Sequence, residues 1–159
     1  MKTKLKSVLF AIGCILLPPA VGALSALLSA MGMAAFDTLL KPPLTPPAIV
    51  FPIVWTVLYL LMGVALYRVC RTPKNEARSR ALRLFFRQLA LNFGWSIVFF
   101  TLSAFYAAFL WLIVLWVMIL LTMRAFFSLD RAAGWLLLPY LLWVTAAGYL
   151  NLGVAILNG

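Results

Sequence analysis

The chain has 159 residues, of which 66% are hydrophobic and only 10% are charged, and its formal net charge is +10. A water-soluble domain carries about a quarter charged residues, so this composition excludes an ordinary soluble protein. The apolar residues form long uncharged blocks and do not alternate with polar ones, which excludes a membrane β-barrel. The sequence therefore predicts an all-α membrane protein whose helices satisfy their own backbone hydrogen bonds in the bilayer.

The uncharged blocks divide into five membrane-spanning helices within a single domain, residues 1–159. The block 88–123 is far longer than the roughly 20 residues that one crossing needs, so it is split by a turn near 103–108. The N-terminal lysines and the apolar stretch after them resemble a signal peptide, but removal would leave four spans, so a retained helix is expected. The predicted spans are 8–30, 49–69, 84–104, 108–128 and 134–157, with a proline-rich lid loop at 31–48 and a basic cytoplasmic loop at 68–87.

The basic residues alternate in number along the chain. Three precede span 1, one follows it, seven lie between spans 2 and 3, none between 3 and 4, two between 4 and 5, and none after 5. The positive-inside rule then predicts a cytoplasmic N-terminus and an outside C-terminus. Topology and anionic lipid headgroups account for the positive charge, so no nucleic-acid partner is expected. The short loops and basic inner connections favour a bacterial cell envelope.

Groups for conventional catalysis are scarce. The chain has no histidine, and its three acidic residues, Asp37, Glu76 and Asp130, fall in predicted loops. Cys14 and Cys70 lie on different segments without the spacing of metal ligands. We therefore expect no catalytic triad, carboxylate pair, metal site or covalent cofactor. The spans carry no ionisable group away from their ends, which argues against an ion-driven transporter.

Span 2 carries an aromatic stripe beneath the proline-rich segment. Phe51 and Tyr59 fall within about 40° of Trp55 on a helix that turns about 100° per residue. Prolines fix φ and lack an N–H, so the segment before the stripe is stiff, and Pro47 or Pro52 can occupy the first turn of the helix. Two interpretations stay open: a lid over a ligand that reaches Pro47 and Phe51, or a rigid connector without a ligand.

Spans 3 and 5 combine amides with aromatic residues on single faces. The residues concerned are Gln88, Asn92, Trp95 and Phe99 in span 3, and Trp143, Ala147 and Asn151 in span 5. Amides are costly in hydrocarbon unless they find partners. They either hydrogen-bond between helices or orient a ligand in an aromatic cavity, which is the usual construction of a small-molecule site.

The opposite face of span 3 carries small side chains. Ala90, Gly94 and Val98 are spaced four residues apart, a pattern that lets helix backbones approach closely. This face predicts either packing against another helix of the same chain or a homodimer contact.

Four spaced segments carry a resemblance to a known family. They are LLKPPLTPP, FPIVWTVLYLLMGVA, QLALNFGWSIVFF and PYLLWVTAAGYLN. In this order they resemble the TspO/MBR family of tryptophan-rich sensory and translocator proteins. The resemblance implies a five-helix bundle, frequent dimerisation through span 3, and a pocket beneath the first long loop that binds porphyrins, other tetrapyrroles, sterols or flat aromatic ligands. The pocket positions it implies here are Trp55, Tyr59, Asn92, Trp95, Phe99, Trp143, Ala147 and Asn151.

Two positions depart from the family pattern. Ala35-Phe36 stands where relatives usually carry Trp-Tyr, and Leu44 stands where they usually carry an aromatic residue. Both changes predict a thinner aromatic lid.

Three functions are consistent with the sequence. The first is a non-enzymatic membrane receptor, sensor or carrier for a protoporphyrin IX-like ligand. The second, which the resemblance implies, is light-dependent porphyrin breakdown with indole radicals at Trp55 and Trp143. The third is an interaction protein whose pocket is vestigial.

Overall fold

The computed structural model describes residues 2–159, with side chains from Lys4 onward. Met1 and the side chain of Lys2, which belong to the predicted domain and the predicted basic N-terminus, lie outside the described residues. Within the described part, all regular structure is helical, and five helical stretches are long and apolar enough to cross a membrane. The helices are α1 (Lys2–Phe36), α2 (Val50–Cys70), α3 (Glu76–Ser96), α4 (Phe105–Phe127), α5 (Arg131–Leu136) and α6 (Leu138–Asn158). The predicted all-α fold with five spans is thus confirmed, with α5 and α6 together forming the fifth span.

The helices are longer at two ends than the sequence predicted. Helix α1 continues to Phe36 because the segment before it is rich in Met and Ala and contains no proline, so residues 31–36 of the predicted lid loop are helical. The lid loop comprises residues 37–49. The predicted basic loop 68–87 is also mostly helical, because Asn75 caps α3 by accepting a hydrogen bond from the Arg78 amide at 2.8 Å. Only 71–75 connect α2 and α3.

The turn between spans 3 and 4 lacks glycine and proline but is still tight. Helix α3 widens into a π-helical turn at Ile97–Thr101, and α4 starts at Phe105, three residues before the predicted start. Ser103 adopts a left-handed conformation with φ of 50°, which reverses the chain without a glycine.

The fifth span is interrupted, which the sequence analysis did not predict. Helix α5 ends at Leu136 and α6 begins at Leu138, with Pro139 in its first turn. Proline has no amide to donate to the preceding turn, so the break falls where the hydrogen bond is missing. Asp130 caps α5 by accepting from the Ala133 amide at 2.9 Å.

The order of the helices around the bundle follows from their contacts. Helix α1 packs against α2 and against α3 with its π-helical turn, α3 packs against α4, and α4 packs against α6. Helix α2 meets the last span mainly through α5. Two glycines in the bundle permit close approach, because a Cβ at Gly63 would overlap the backbone of Ile15 and one at Gly32 would overlap that of Phe100. These two glycines bring α1 close to α2 and to the π-helical turn, whereas α2 and α6 are in little direct contact.

The end opposite the lid loop is basic and holds a bidentate ion pair. Arg68 on α2 contacts Asp130 through Nη2 at 2.9 Å and through Nε at 3.1 Å. This guanidinium holds the pKa of the Asp130 carboxyl below its ordinary value. The pair ties α2 to the connection between α4 and α5. The side of the membrane that this basic end faces stays a prediction.

Candidate ligand-binding site

A cavity of about 540 Å³ lies beneath the lid loop, with walls from α1, α2, α3 and α6. Its size falls within the range of roughly 300–1,000 Å³ that small-molecule sites occupy. We call it the central cavity. Nine predicted site residues line it: Phe51, Trp55, Tyr59, Asn92, Trp95, Phe99, Trp143, Ala147 and Asn151.

One predicted site residue lies elsewhere. Pro47 is exposed and does not line the central cavity, whereas its neighbours Pro46 and Ala48 do. Helix α2 begins at Val50, so Pro52 and not Pro47 lies in its first turn. Whether Pro47 contacts a ligand stays a prediction. Whether the other nine residues bind a ligand stays a prediction.

Helix α1 supplies a wall that sequence reasoning missed. Gly22, Ser25, Ala26, Met33 and Phe36 line the central cavity, yet no residue of span 1 was predicted to do so. The available signal was the run of small residues at helical spacing in an otherwise bulky apolar segment. At Gly22 the reason for a small residue is direct, because a Cβ there would overlap the ring of Tyr59.

The floor of the central cavity is a buried hydrogen-bond network. Tyr59 donates to Oδ1 of Asn92 at 2.6 Å, and Nδ2 of Asn92 donates to the Tyr140 hydroxyl at 2.8 Å. The Tyr140 hydroxyl in turn donates to Oε1 of Gln88 at 3.0 Å. The network joins α2, α3 and α6 in surroundings where an unpaired polar group is costly. Tyr140 is its central member, although no role was predicted for that residue.

A second amide links α6 to the turn between α3 and α4. Trp95 donates from Nε1 to Oδ1 of Asn151 at 3.1 Å, and Nδ2 of Asn151 donates to the carbonyl of Phe105 at 2.8 Å. Asn92 and Asn151 thus hydrogen-bond between helices and also line the central cavity. The first of the two interpretations, bonding between helices, describes what these amides do in the structure, and the second, orientation of a ligand, stays a prediction. Their main polar groups are already engaged by the protein.

Aromatic rings form two walls of the central cavity. On one side Trp55 lies against Tyr59 with ring centroids 5.5 Å apart and an interplanar angle of 30°. On the other side Trp95 stacks on Phe99 at 5.3 Å and 24°. These offset contacts hold the rings against one another, and all four residues line the cavity.

Trp143 differs from the other cavity tryptophans. Its ring meets Phe51 edge-on, with centroids 5.8 Å apart and an angle of 70°. Its Nε1 is buried and has no hydrogen-bond partner among the described residues. A buried N–H without a partner costs free energy that a ligand acceptor can recover. Because this atom is covered in the structure, a ligand acceptor would reach it only if the indole rotated.

The lid loop is fastened to α6. Leu40 exchanges two hydrogen bonds with the side chain of Asn158, and the hydroxyl of Tyr149 donates to the carbonyl of Pro43 at 2.9 Å. Pro42 packs so closely on Gly153 that a Cβ at Gly153 would overlap its ring. The lid loop is therefore held in place by contacts at several points.

The two departures from the family pattern affect the lid unequally. Leu44 is 90% exposed and lies at a left-handed turn with φ of 65°, so its side chain contributes nothing to the cavity wall. Ala35 is also absent from the wall, whereas Phe36 lines it and contacts the rings of Phe99 and Phe100. Of the residues at the two departures, Ala35 and Leu44 thus lie outside the wall of the central cavity, and Phe36 lies in it.

Among the described residues, the charged side chains that line the central cavity are at its rim. Lys41 and Asp37 line the mouth and form an ion pair 3.8 Å apart. The Lys41 ammonium also lies 5.0 Å from the centre of the Phe36 ring, a cation–π contact. The ion pair is too exposed to be strong, so Lys41 can exchange its partner at little cost.

The small face of α3 is partly used within the chain. Trp111 of α4 donates from Nε1 to the carbonyl of Leu91 at 2.8 Å, and a Cβ at Gly94 would overlap its ring. Val98 is half-buried and Ala90 is exposed. Gly94 thus serves packing between α3 and α4, and the predicted dimer face of Ala90, Gly94 and Val98 stays a prediction.

The fold and the cavity together define a class: an integral membrane protein of five spans built around an aromatic cavity of ligand size. The chain belongs to the TspO/MBR family, whose model matches residues 14–157. It is 44% identical over 125 residues to the tryptophan-rich protein TspO of Chlorobaculum tepidum, covering 77% of this chain and 78% of that protein. It is 43% identical to the tryptophan-rich sensory protein of Cereibacter sphaeroides, covering 77% and 76%. It is 33% identical to the translocator protein of Bos taurus, covering 89% and 85%.

Proposed function

We propose that this protein is a membrane receptor, sensor or carrier that binds porphyrins and related tetrapyrroles, or other flat aromatic or sterol ligands, in the central cavity. Membership of the TspO/MBR family supports the sensor or receptor role, as do relatives named tryptophan-rich sensory protein and translocator protein. The observation that carries the proposal is the convergence of nine predicted residues on one cavity of about 540 Å³.

The chemistry of the walls favours a flat, largely apolar ligand with a few acceptors. Aromatic faces at Trp55 and Trp95 offer offset stacking to a macrocycle. The Nε1 of Trp143 has no partner among the described residues and would become available to a ligand acceptor if the indole rotated. A porphyrin carboxylate at the mouth would meet the Lys41 ammonium, which stays close to water and needs no buried counter-ion.

Light-dependent porphyrin breakdown is a second candidate. Trp55 and Trp143 both line the central cavity, so a bound macrocycle would contact both indoles. Trp55 is further linked to the rings of Tyr59 and Tyr140, with centroids 5.5 Å and 6.2 Å away. Such a cluster of oxidisable rings around a photosensitiser supports electron transfer, with dioxygen as the oxidant.

The deciding experiment is a titration of the purified full-length protein with protoporphyrin IX in the dark, followed by tryptophan fluorescence. Saturable quenching that weakens in Trp55→Phe and Trp143→Phe supports the proposal. Trp135→Phe is the matched control, because Trp135 is exposed and does not line the central cavity. Quenching that is absent, or equal in all variants, contradicts binding in this cavity and favours the interaction protein with a vestigial pocket.

Illumination of the same samples separates the two candidates. Loss of the porphyrin absorption spectrum that needs light and dioxygen, and that disappears in Trp143→Phe while binding persists, supports breakdown. A stable spectrum supports binding alone.

The setting of the protein belongs to the same proposal. We place it in a bacterial cell envelope as a homodimer, with the basic end in the cytoplasm. The alternation of basic residues between connections supports the orientation. Labelling of single cysteines introduced at Thr72 and Leu44 with an impermeant reagent in intact cells tests it, since labelling at Leu44 alone is expected.

A further inference from the structure

A second apolar hollow lies on the membrane-facing side of the bundle, between α2 and α6. Its volume is about 480 Å³, and every residue that lines it is apolar. We call it the lateral crevice. Ile53 and Val57 of α2 and Leu142 of α6 are among its walls, and each has at least half of its surface exposed. In a bilayer these side chains face lipid, so the lateral crevice opens to hydrocarbon.

The lateral crevice reaches the central cavity at one side chain. Trp143 is the residue that lines both hollows. Helix α2 packs against α5 at the basic end, whereas nearer the lid loop α2 and α6 diverge around this indole. The ring of Trp143 is therefore the partition between the central cavity and the lipid.

The partition is held by weak contacts. The only polar atom of the indole, Nε1, has no hydrogen-bond partner among the described residues, and the ring is held by packing, including the edge contact to Phe51. Rotation of the indole would break no hydrogen bond. Trp143 also lies one turn after Pro139, at the start of α6, where the helix lacks a backbone bond to the preceding turn.

The alternative route, through the lid loop, is better secured. Opening it would break the two bonds between Leu40 and Asn158 and the bond from Tyr149 to Pro43. It would also expose Pro42, which is buried against Gly153. Each hydrogen bond contributes about 0.5–1.5 kcal/mol. Opening the lid loop therefore breaks three hydrogen bonds, whereas rotation of the indole breaks none.

From this contrast we propose that the apolar ligand enters and leaves the central cavity through the bilayer, between α2 and α6, when the Trp143 indole swings aside. The inference rests on the proposed function, since it needs a ligand in the central cavity. It adds that the ligand is taken from solution in the membrane, where a flat apolar molecule concentrates. Water at the lid end is then not the source of the ligand.

A third hollow provides a control. It lies between α4 and α6, measures about 390 Å³ and shares no residue with the central cavity. Gly148 is in its wall, and a Cβ added there meets only Leu112, at 3.7 Å. Gly148→Phe therefore fills a comparable apolar hollow two residues along the same helix from Ala146, which lines the lateral crevice.

The test measures the rates of protoporphyrin IX binding and release by stopped-flow tryptophan quenching, with the full-length protein in lipid nanodiscs. Ala146→Phe fills the lateral crevice and leaves the central cavity unchanged. We expect the association and dissociation rates to fall together by about tenfold or more, because a raised barrier slows both directions equally. The equilibrium dissociation constant should stay within about twofold of the unmodified protein. Val57→Trp, on the opposite wall, should act in the same way and covers the case in which Ala146→Phe does not fold.

Two further variants separate the lateral route from passage through the lid loop and from a general effect of added bulk. Gly148→Phe should leave both rates unchanged, and so should Asn158→Ala, which loosens the lid loop. Unchanged rates in Ala146→Phe and Val57→Trp, with binding intact, would overturn the lateral route alone. Faster binding and release in Asn158→Ala would overturn it in favour of the lid. Absence of saturable quenching in the unmodified protein would overturn the proposed function, and the lateral route with it.

Discussion

Asn158, in the last turn of α6, holds the backbone of Leu40 by both of its polar groups. The Leu40 amide donates to Oδ1 of Asn158 at 2.9 Å, and Nδ2 of Asn158 donates to the Leu40 carbonyl at 2.8 Å. The two residues are 118 positions apart in the chain. An amide side chain can accept from a backbone N–H and donate to a backbone carbonyl at once. Asn158 therefore satisfies both backbone groups of Leu40, which lies in a loop without regular secondary structure. The lid loop is therefore a fixed cover of the central cavity.

Asn158→Ala should release the lid loop without unfolding the bundle. Both bonds are exposed to solvent at the lid end, so we expect a loss of about 1 kcal/mol of local stability. Hydrogen exchange followed by mass spectrometry should show faster exchange in residues 38–46 and unchanged exchange in α2. Asn158→Asp, which keeps the acceptor and loses the donor, should give an intermediate rate. Equal protection in all three proteins would contradict the fastening.

Gly22→Ala should disturb the central cavity from the α1 side. The added methyl group would overlap the ring of Tyr59, which has to shift away from Asn92. Overpacking of this kind costs about 1–3 kcal/mol. We expect a lower midpoint of thermal unfolding and weaker protoporphyrin IX binding.

Gly13→Ala is the control for this substitution. It lies on the same helix, and a Cβ there has no atom within 4 Å. It should leave both measurements unchanged. If Gly13→Ala and Gly22→Ala give the same unfolding midpoint and the same binding, the contact with Tyr59 is not the reason for a glycine at position 22.

The helical fold was predictable because each span appears in the sequence as a long block without charged residues. The residues that share one helix face were equally predictable, since the face follows from the rotation of about 100° per residue. Hence nine of the ten proposed site residues line one cavity. The position of Pro47 could not be derived from a helix angle, because it lies in an irregular loop that is held by contacts to Asn158 and Gly153, far away in sequence.

The missing parts of the site depend on tertiary contacts. Only the packing of the last span on α3 brings the hydroxyl of Tyr140 to Asn92 and Gln88. The small residues of α1 have no chemistry of their own, and their role appears only when Tyr59 is placed against Gly22. The break at Leu137 follows from Pro139, but tolerance of Pro18 and Pro19 within α1 shows that proline alone does not decide where a membrane helix ends.

Tyr140→Phe should destabilise the bundle more than its single missing oxygen suggests. The hydroxyl accepts from Asn92 and donates to Gln88, and both amides are buried. Its removal leaves two buried polar groups without that partner, at about 1–3 kcal/mol each before any rearrangement. Thermal unfolding in detergent should show the loss, and Tyr106→Phe, at an exposed site, should show none. A midpoint for Tyr140→Phe equal to that of the unmodified protein would mean that the network carries no net stability.

The ion pair between Arg68 and Asp130 should make stability depend on pH in the acid range. The guanidinium lowers the pKa of the carboxyl in the folded protein, so the unfolded chain binds its proton first. The stabilisation is complete above the ordinary aspartate pKa of 3.8 and is lost as the pH falls through the lower folded value. Unfolding midpoints should therefore decrease on acidification. The decrease should be smaller in Arg68→Gln, and an identical pH profile in that variant would contradict the assignment.

Substitutions on the small face of α3 should separate packing within the chain from dimer formation. Gly94→Leu would overlap Trp111, so it should lower the unfolding midpoint whatever the oligomeric state. Ala90→Leu adds bulk at an exposed position of the same face and should leave the fold of the single chain intact. If this face forms the homodimer, Ala90→Leu should convert dimers to monomers in cross-linking and in light scattering of the detergent-solubilised protein. Dimers that persist in Ala90→Leu would place the contact on another face and leave α3 with a structural role only.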